Sequence, residues 1–243
     1  MTKFKNFYSP NFDQIKRRNS NIKYLIYHYT GMKSEKSALK RLCDARSKVS
    51  CHYFIKKSGE ILQIVPDRYI SWHAGKSCWK KDNMLNKSSI GIEIHNSGHS
   101  FNYTKFNNNQ IVSIKILSNL LMKQYRIKRH NILGHSDISP DRKKDPGEKF
   151  PWQKLNSYKI GIWHSLDSRL LQKLRNRKII KNQYKIFIKF LKKIGFNFNA
   201  QNKNNLKYTV KAFQRHFRPQ IINGKIDMEC FEIAKNLCKK RLY

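Results

Sequence analysis

The stretch "IKYLIYH", residues 22–28, is a continuous apolar run rich in aromatic and β-branched side chains. Such a run predicts a strand that is buried on both of its faces. The run ends at a polar residue, His28. Because the end of a buried strand holds its side chain rigidly at the mouth of a cleft, His28 is a candidate metal ligand. A hydrogen-bonded structural histidine is the alternative at this position.

The segments around this strand alternate between helix and strand patterns. They predict, in chain order, a helix capped by Ser34, a hairpin around Ser58–Gly59, an amphipathic helix, a short strand ending at His135 and a further helix. Their sequences are "KSEKSALKRLCDAR" (33–46), "HYFIKKSGEILQIV" (52–65), "NQIVSIKILSNLLMKQYRI" (109–127), "HNILGH" (130–135) and "FPWQKLNSYKIGIW" (150–163). Strands mixed with helices through about residue 165 predict an α/β sheet domain.

One further strand pattern, "SIGIEIHN" at residues 89–96, separates an apolar face from a mixed one. Alternate residues of a strand point to opposite sides, so three isoleucines share one face and Gly91, Glu93 and His95 share the other. Glu93 is therefore expected to point away from the isoleucines.

The pattern changes beyond about residue 175. Three helical patterns follow one another, "NQYKIFIKFLKKIGF" (182–196), "KYTVKAFQRHF" (207–217) and "MECFEIAKNLCKKRL" (228–242). The segments between them have loop composition. A small three-helix bundle is predicted, and because it lacks a catalytic constellation it is interpreted as a binding or docking module.

The chain is strongly basic, with 51 Lys and Arg against 15 Asp and Glu and a formal net charge of +36. Such a surface should attract polyanions, and that attraction should depend on salt. A strongly A/T-biased genome offers a second explanation, because the chain is rich in Lys, Asn and Ile together.

Cysteine usage and the N-terminus limit the compartment. No cysteine pair has C-x-x-C spacing, so free thiols are predicted at Cys43, Cys51, Cys78, Cys230 and Cys238. The first twenty residues lack the apolar region of a signal peptide. No apolar run approaches the ~20 residues that a membrane span needs.

The stretch "GHSDISPDRKKDPG", residues 134–147, has the Pro and Gly content of a loop. It also contains His135 and Asp145. With His28 they form a set of two histidines and one aspartate, which leaves a position open for water as in catalytic zinc sites. The three residues are far apart in sequence, so spacing cannot establish that they converge. An ordinary charged loop is the alternative.

Five segments, taken in order, resemble the zinc-dependent N-acetylmuramoyl-L-alanine amidases, the bacterial type-2 amidases related to peptidoglycan recognition proteins. They are "YLIYHYTG" (24–31), "SCHYFI…GEILQIV" (50–65), "SWHAGKS" (71–77), "SIGIEIHN" (89–96) and "GHSDISPDRKKDPGEKFPW" (134–152). The resemblance covers residues 22–152 and implies a mixed central sheet flanked by helices, in a catalytic domain of residues 1–170. The C-terminal "VKAFQRHFRP…NGKID" resembles the three-helix peptidoglycan-binding modules of some of these amidases, which implies a second domain of residues 175–243.

The resemblance assigns a role to each candidate site residue. It implies that His28, His135 and Asp145 bind one Zn²⁺ per chain, which lowers the pKa of water toward about 7 and polarises the substrate carbonyl. Glu93 would take a proton from the attacking water and return one to the leaving amine. Lys143 would stabilise the oxyanion of the tetrahedral transition state. The bond cut would join the lactyl carbonyl of N-acetylmuramic acid to L-alanine of the stem peptide.

Other residues align with segments that line the family's groove. The predicted substrate contacts are His52, Trp72, His73, Ala74 and Asn96, with a core position as the alternative for Trp72. Arg142 and Lys144 are interpreted as solvated or as contacts for phosphate-like groups. Surface or packing roles are assigned to His99, His130, His164 and His216. The third ligand is Asp145 where recognition proteins and some phage amidases have Cys, which favours the bacterial amidase branch.

Three classes of function compete. The first is a zinc amidase of cell-wall turnover and recycling, and the second is a muropeptide-binding protein that does not cut. The third, a nucleic-acid binder, has only the charge in its favour, because no recognised reading motif is present. Peptidoglycan or muropeptide fragments are the predicted partners, and a monomer is expected. The C-terminal module favours the bacterial periplasm or cell envelope, and the absence of a signal peptide keeps the cytoplasm as the alternative.

Overall fold

The computed structural model describes residues 4–199 and 201–239. Within these ranges the strands are β1 (Lys5–Asn6), β2 (Phe12–Asp13), β3 (Tyr24–Tyr29), β4 (Tyr53–Ile55), β5 (Ile61–Gln63), β6 (Ile70–Ser71), β7 (Cys78–Trp79), β8 (Asp82–Asn83), β9 (Ser89–Ile94) and β10 (Ile132–Gly134). The helices are α1 (Glu35–Cys43), α2 (Asn108–Tyr125), α3 (His135–Ile138), α4 (Trp152–Ser157), α5 (Ser168–Leu174), α6 (Lys181–Ile194), α7 (Lys203–Phe217) and α8 (Met228–Lys239).

The central sheet confirms the predicted α/β class. Its strands lie in the order β1-β5-β4-β9-β3-β10, and β3 is parallel to both of its neighbours. The hairpin of β4 and β5 is antiparallel, so the sheet is mixed. Leu25, Ile26 and Tyr27 in the middle of β3 have no exposed surface. The buried strand predicted from the opening stretch is therefore the second strand from one edge, and its end points toward the site.

Local signals in the sequence set several of these elements. The Ser34 side chain accepts a hydrogen bond from the Ser37 amide at 3.1 Å, which confirms the predicted cap of α1. Helix α2 begins with a capping box between Asn107 and Gln110. Its apolar stripe packs toward the sheet with Leu117 and Leu121 fully buried.

Two details differ from the sequence predictions. Strand β10 ends at Gly134, and His135 is instead the first residue of helix α3. The helix begins there because the Asp137 carboxylate accepts a hydrogen bond from the Gly134 amide at 2.7 Å. Helix α5 was also not predicted, although Asp167 caps it through the amides of Arg169 and Leu170.

The three C-terminal helical patterns form α6, α7 and α8, which confirms those predictions within the described residues. The end of the third pattern, residues 240–242, lies outside them. These helices pack onto the sheet region through aromatic contacts. His216 of α7 stacks on Trp152 with ring centroids 3.8 Å apart, and Phe196 meets Trp79 edge-on at 5.0 Å.

Two further sequence expectations can be compared with the structure. The five cysteines are free thiols, as predicted. Among the helices of residues 4–199 and 201–239, none combines the length and the apolar character that a membrane crossing requires.

Candidate active site

Three polar side chains from separate parts of the chain meet at one end of the central sheet. His28 lies near the end of β3, His135 follows the adjacent strand β10, and Asp145 lies in the loop beyond α3. The loop is tied back toward His135, because the Asp145 carbonyl accepts a hydrogen bond from the Ser136 amide at 2.8 Å. The sheet therefore fixes two of the three residues, and a short helical turn brings in the third.

The three side chains are close enough to share one ion. The Nδ1 atom of His28 is 2.9 Å from Nδ1 of His135 and 2.9 Å from Oδ2 of Asp145. The Nδ1 atom of His135 is 3.0 Å from the same carboxylate oxygen. All three residues are buried and form a group suited to a metal ion. The convergence that sequence spacing could not establish is thus present in the structure.

The ionisation of the cluster also suits a divalent cation. Burial and then the neighbouring His135 lower the pKa of His28 to about 4, so its imidazole is neutral at neutral pH. Burial alone would raise the pKa of Asp145, but His135 and His28 outweigh it and hold that pKa well below its usual range. A buried carboxylate beside imidazole nitrogens is the donor chemistry that zinc accepts. The residues present therefore fit the ion that the family resemblance implies.

Glu93 and Lys143 face the same cleft as this cluster. The cleft has a volume of about 430 Å³ and is lined by all five candidate catalytic and metal residues, which are His28, Glu93, His135, Lys143 and Asp145. Glu93 is the direct neighbour of His28 across the β3–β9 pair. Its Oε2 atom is buried, and no group in residues 4–199 and 201–239 forms a hydrogen bond with it. Burial and then the charge of Asp145 raise the pKa of Glu93 to about 8, while Lys143 acts in the opposite direction.

The predicted substrate contacts divide into two groups. Trp72 and His73 line the cleft, and the indole of Trp72 is held by a 2.8 Å hydrogen bond to Asp13. His52, Ala74 and Asn96 are buried and do not line it. His52 accepts a hydrogen bond from the Gly91 amide at 3.0 Å, and the Asn96 side chain donates to the Thr104 carbonyl at 2.9 Å. Direct substrate contact at all five positions stays a prediction.

Two residues make contacts at the site that the sequence did not predict. Arg142, interpreted as solvated or as a contact for phosphate-like groups, is exposed, and its guanidinium also donates to the carbonyls of Ala74 and Lys76 at 2.6 Å each. His99 is exposed, in agreement with its assigned surface or packing role, and it also lines the cleft and lies 3.0 Å from Glu148. These contacts join segments that are 49 to 68 residues apart in the chain. No local pattern in the sequence signals them.

The fold and the cleft define the chain as an α/β protein with a candidate hydrolase site. The family model of N-acetylmuramoyl-L-alanine amidase (Amidase_2) matches residues 18–148. The amidase AmiD of Escherichia coli is 33% identical over 232 residues, which cover 90% of this chain and 83% of that protein. The chain therefore belongs to the N-acetylmuramoyl-L-alanine amidase family and is an amide hydrolase.

Other relatives and solved structures agree with this membership. The 1,6-anhydro-N-acetylmuramyl-L-alanine amidase AmpD of Haemophilus influenzae is 34% identical over 176 residues, covering 65% of this chain and 92% of that protein. The structure of Escherichia coli AmiD with anhydro-N-acetylmuramic acid-L-Ala-D-gamma-Glu-L-Lys superposes with a TM-score of 0.80 at 32% identity, covering 94% and 92% of the two chains. AmpDh3 of Pseudomonas aeruginosa gives 0.79 at 28% identity, covering 91% and 92%. The predicted fold and enzyme class are confirmed.

Proposed function

We propose that this amidase is zinc-dependent and cleaves the amide bond between the lactyl group of N-acetylmuramic acid and L-alanine, in peptidoglycan or muropeptides. His28, His135 and Asp145 would hold one zinc ion per chain. The observation that carries the proposal is the convergence of their three donor atoms within 3.0 Å at the cleft. When bound, the ion supplies a lowered pKa for water and polarisation of the scissile carbonyl.

Glu93 is proposed to move protons during this reaction. Its free carboxylate oxygen and its raised pKa of about 8 allow it to exchange a proton near neutral pH. The carboxylate form accepts a proton from the attacking water. The resulting acid then donates a proton to the amine of L-alanine as that amine leaves. Its neighbouring position to His28 on adjacent strands supports this assignment.

Lys143 is proposed to stabilise negative charge on the substrate. Its side chain lines the cleft beside Asp145, and an ammonium group there attracts the oxyanion that forms when water adds to the amide carbonyl. Because this charge is present in the transition state and absent from the substrate, the contact favours catalysis over tight substrate binding.

Muropeptides are the proposed substrates, and the named relatives support this choice. The structures of AmiD and AmpDh3 hold an anhydromuramyl peptide and an anhydromuramic pentapeptide, respectively. Basic side chains at the rim of the cleft here, Arg41, Arg142 and Lys144, suit the carboxylates of a stem peptide. Cell-wall turnover and recycling is the proposed process. We propose residues 175–243 as the peptidoglycan-binding module and the bacterial envelope as the compartment.

Mass spectrometry of a muropeptide digest tests the proposal. Zinc-loaded protein should release free stem peptides that begin with L-alanine, from substrates with and without a 1,6-anhydro sugar in separate reactions. The Asp145→Ala variant should lose zinc and activity, because one of three ligands is removed. Asp141→Ala, at an exposed position of the same loop, is the matched control. Intact muropeptides that bind the zinc-loaded protein would instead indicate a non-catalytic binding protein.

A further inference from the structure

The dipeptide His73–Ala74 lies directly behind both histidines of the metal cluster. The Nδ1 atom of His73 is 3.0 Å from Nε2 of His28, and the carbonyl oxygen of Ala74 is 3.2 Å from Nε2 of His135. The carboxamide oxygen of Asn86 accepts hydrogen bonds from both amides of the dipeptide, at 3.2 and 2.7 Å. One rigidly held pair of residues therefore contacts the outward nitrogen of each proposed ligand.

Ser89 determines which atom donates in each of the hydrogen bonds that lead through His73 to His28. Ser89 Oγ lies 2.5 Å from the carbonyl oxygen of Leu85. A carbonyl cannot donate, so the Ser89 hydroxyl proton lies between these two oxygens. Ser89 Oγ must then accept at its other contact, which is Nε2 of His73 at 3.1 Å. His73 consequently carries its proton on Nε2.

The hydrogen-bonded chain continues from His73 to His28. A neutral His73 ring that carries its proton on Nε2 has its lone pair on Nδ1, so this atom is an acceptor. The only group of His28 that can donate to it is Nε2–H. A neutral His28 with a proton on Nε2 has its lone pair on Nδ1, the atom that faces Asp145 and His135. This is the tautomer that a metal ion requires.

His135 is oriented by a shorter route. A carbonyl oxygen only accepts, so Nε2 of His135 donates to Ala74. Arg142 donates to the same carbonyl at 2.6 Å and holds it in place. The Nδ1 atom of His135 again faces the cluster.

The strand beneath His73 leaves space for this arrangement. A Cβ atom at Gly91 of β9 would lie 2.3 Å from Cγ of the His73 ring, a distance that no packed structure tolerates. A residue without a side chain at position 91 is therefore required for the ring to reach His28. This gives Gly91 of the "SIGIEIHN" segment a specific role in the site.

We propose that His73, supported by Ser89, is a positioning residue that fixes the Nε2–H tautomer of His28 and so presents its Nδ1 lone pair to the metal. The Ala74 carbonyl does the same for His135. This inference rests on the proposed function, because it assumes that the cluster holds zinc. It reassigns His73 and Ala74 of the "SWHAGKS" segment from predicted substrate contact to support of the ligands.

The tautomers can be measured directly in the metal-free protein. Two-bond ¹⁵N–¹H correlation spectra of protein labelled at histidine distinguish a proton on Nε2 from one on Nδ1, and single-histidine variants assign the signals. We expect Nε2–H for both His28 and His73 at neutral pH. A proton on Nδ1 of His73 would overturn the inference. Because neither zinc nor substrate is present, this result is independent of whether the proposed function is correct.

Substitutions at His73 supply the second readout, which is zinc affinity measured by competition with a chelator. His73→Leu removes both hydrogen bonds and should weaken zinc binding by roughly 10- to 100-fold. His73→Gln keeps an acceptor for His28 and a donor for Ser89, so it should restore much of the affinity. Ser89→Ala should weaken binding by a smaller factor. His95→Leu is the matched control and should bind zinc normally. His95 is a half-buried histidine that directly follows β9, the strand that contains Ser89.

Steady-state kinetics separate this role from substrate contact. The inference predicts that added zinc restores much of the rate of His73→Leu while KM for the muropeptide changes little. Wild-type zinc affinity in His73→Leu together with a raised KM would overturn the inference and assign His73 to the substrate. If His73→Leu does not fold, Ser89→Ala and the tautomer spectra decide the question. A wild-type protein without zinc or hydrolysis would instead contradict the proposed function.

Discussion

At the scale of single residues, Glu93 and Lys143 have opposite electrostatic relations to the cluster of His28, His135 and Asp145. Glu93 is enclosed near Asp145, and both its burial and that negative charge favour its protonated form. Lys143 is near the same carboxylate and lowers the pKa of Glu93. A carboxyl group whose pKa is raised by its surroundings in a cleft is suited to acid–base chemistry, and Lys143 lines the same cleft.

The raised pKa of Glu93 predicts a specific dependence of stability on pH. In the folded protein Glu93 keeps its proton up to about pH 8, whereas in the unfolded chain it loses the proton near its ordinary pKa of 4.5. The folded state therefore binds more protons between these values, and its stability falls as pH rises, by at most about 1.4 kcal/mol per pH unit. Glu93→Gln should remove this loss. In denaturant unfolding of metal-free protein, the free energy of unfolding of the variant should therefore rise relative to that of the wild type from pH 5 to pH 8. A difference that does not change with pH would contradict the raised pKa.

Lys143→Ala should separate rate from metal binding. Since the ammonium group acts on charge that develops in the transition state, kcat should fall by roughly 10²- to 10³-fold while zinc content and KM change little. Lys154→Ala, an exposed lysine outside the cleft, is the matched control. Normal turnover by Lys143→Ala in the same assay would show that the oxyanion is stabilised by another group.

At the scale of elements, the sequence predicts what depends on local pattern. The apolar run of β3, the alternation in β9 and the Ser34 cap of α1 are each encoded within a few residues, and the structure contains them. The positions of Arg142 and Ser89 depend on carbonyl oxygens and rings from other segments. The Arg142–Ala74 contact spans 68 residues. Such contacts follow from the packing of the whole sheet, so no motif could have indicated them.

Helix α7 and the short helix α3 are joined by a buried contact beside the metal cluster. Nδ1 of His216 lies 2.7 Å from Oδ2 of Asp137, the same oxygen that caps α3 at Gly134. The His216 ring also stacks between Trp152 and Phe217. The C-terminal helices therefore contact the turn that orients His135, and this part of the chain contributes to the site region through packing.

Two substitutions at His216 should distinguish the hydrogen bond from the stacking. His216→Phe keeps an aromatic ring but leaves the buried Asp137 carboxylate without this partner, so the free energy of unfolding should fall by about 1–3 kcal/mol. His216→Ala should cost more, because the contacts with Trp152 and Phe217 are lost as well. Denaturant unfolding measures both. Equal stability of His216→Phe and the wild type would show that the hydrogen bond contributes nothing.

At the scale of the whole molecule, the charge is distributed unevenly between interior and surface. Five of the acidic residues are buried, namely Asp67, Asp137, Asp145, Asp227 and Glu229. The chain has only 15 acidic residues against 51 basic ones, so the surface presents very few negative charges. An anionic wall polymer would therefore meet a surface with a large excess of positive charge.

This field predicts salt-sensitive binding to the cell wall. Cosedimentation with purified, undigested wall material should be strong at about 50 mM salt and should fall steeply by about 500 mM, where exposed charges are screened over a few ångström. Catalytically inactive Asp145→Ala protein keeps the substrate intact during the measurement. Binding that does not change with salt would show that specific contacts recognise the wall. The excess of basic residues would then be explained by the base composition of the genome.

A zinc titration followed by product analysis tests the central claim most directly, that one ion held by His28, His135 and Asp145 carries the amidase activity. Zn²⁺ is added stepwise to chelator-treated protein, and the release of stem peptide from muropeptides is quantified by mass spectrometry at each step. We predict that the rate rises linearly and levels off at about one equivalent of zinc per chain. Full activity before any zinc is added, or no free stem peptide at any zinc concentration, would contradict the account.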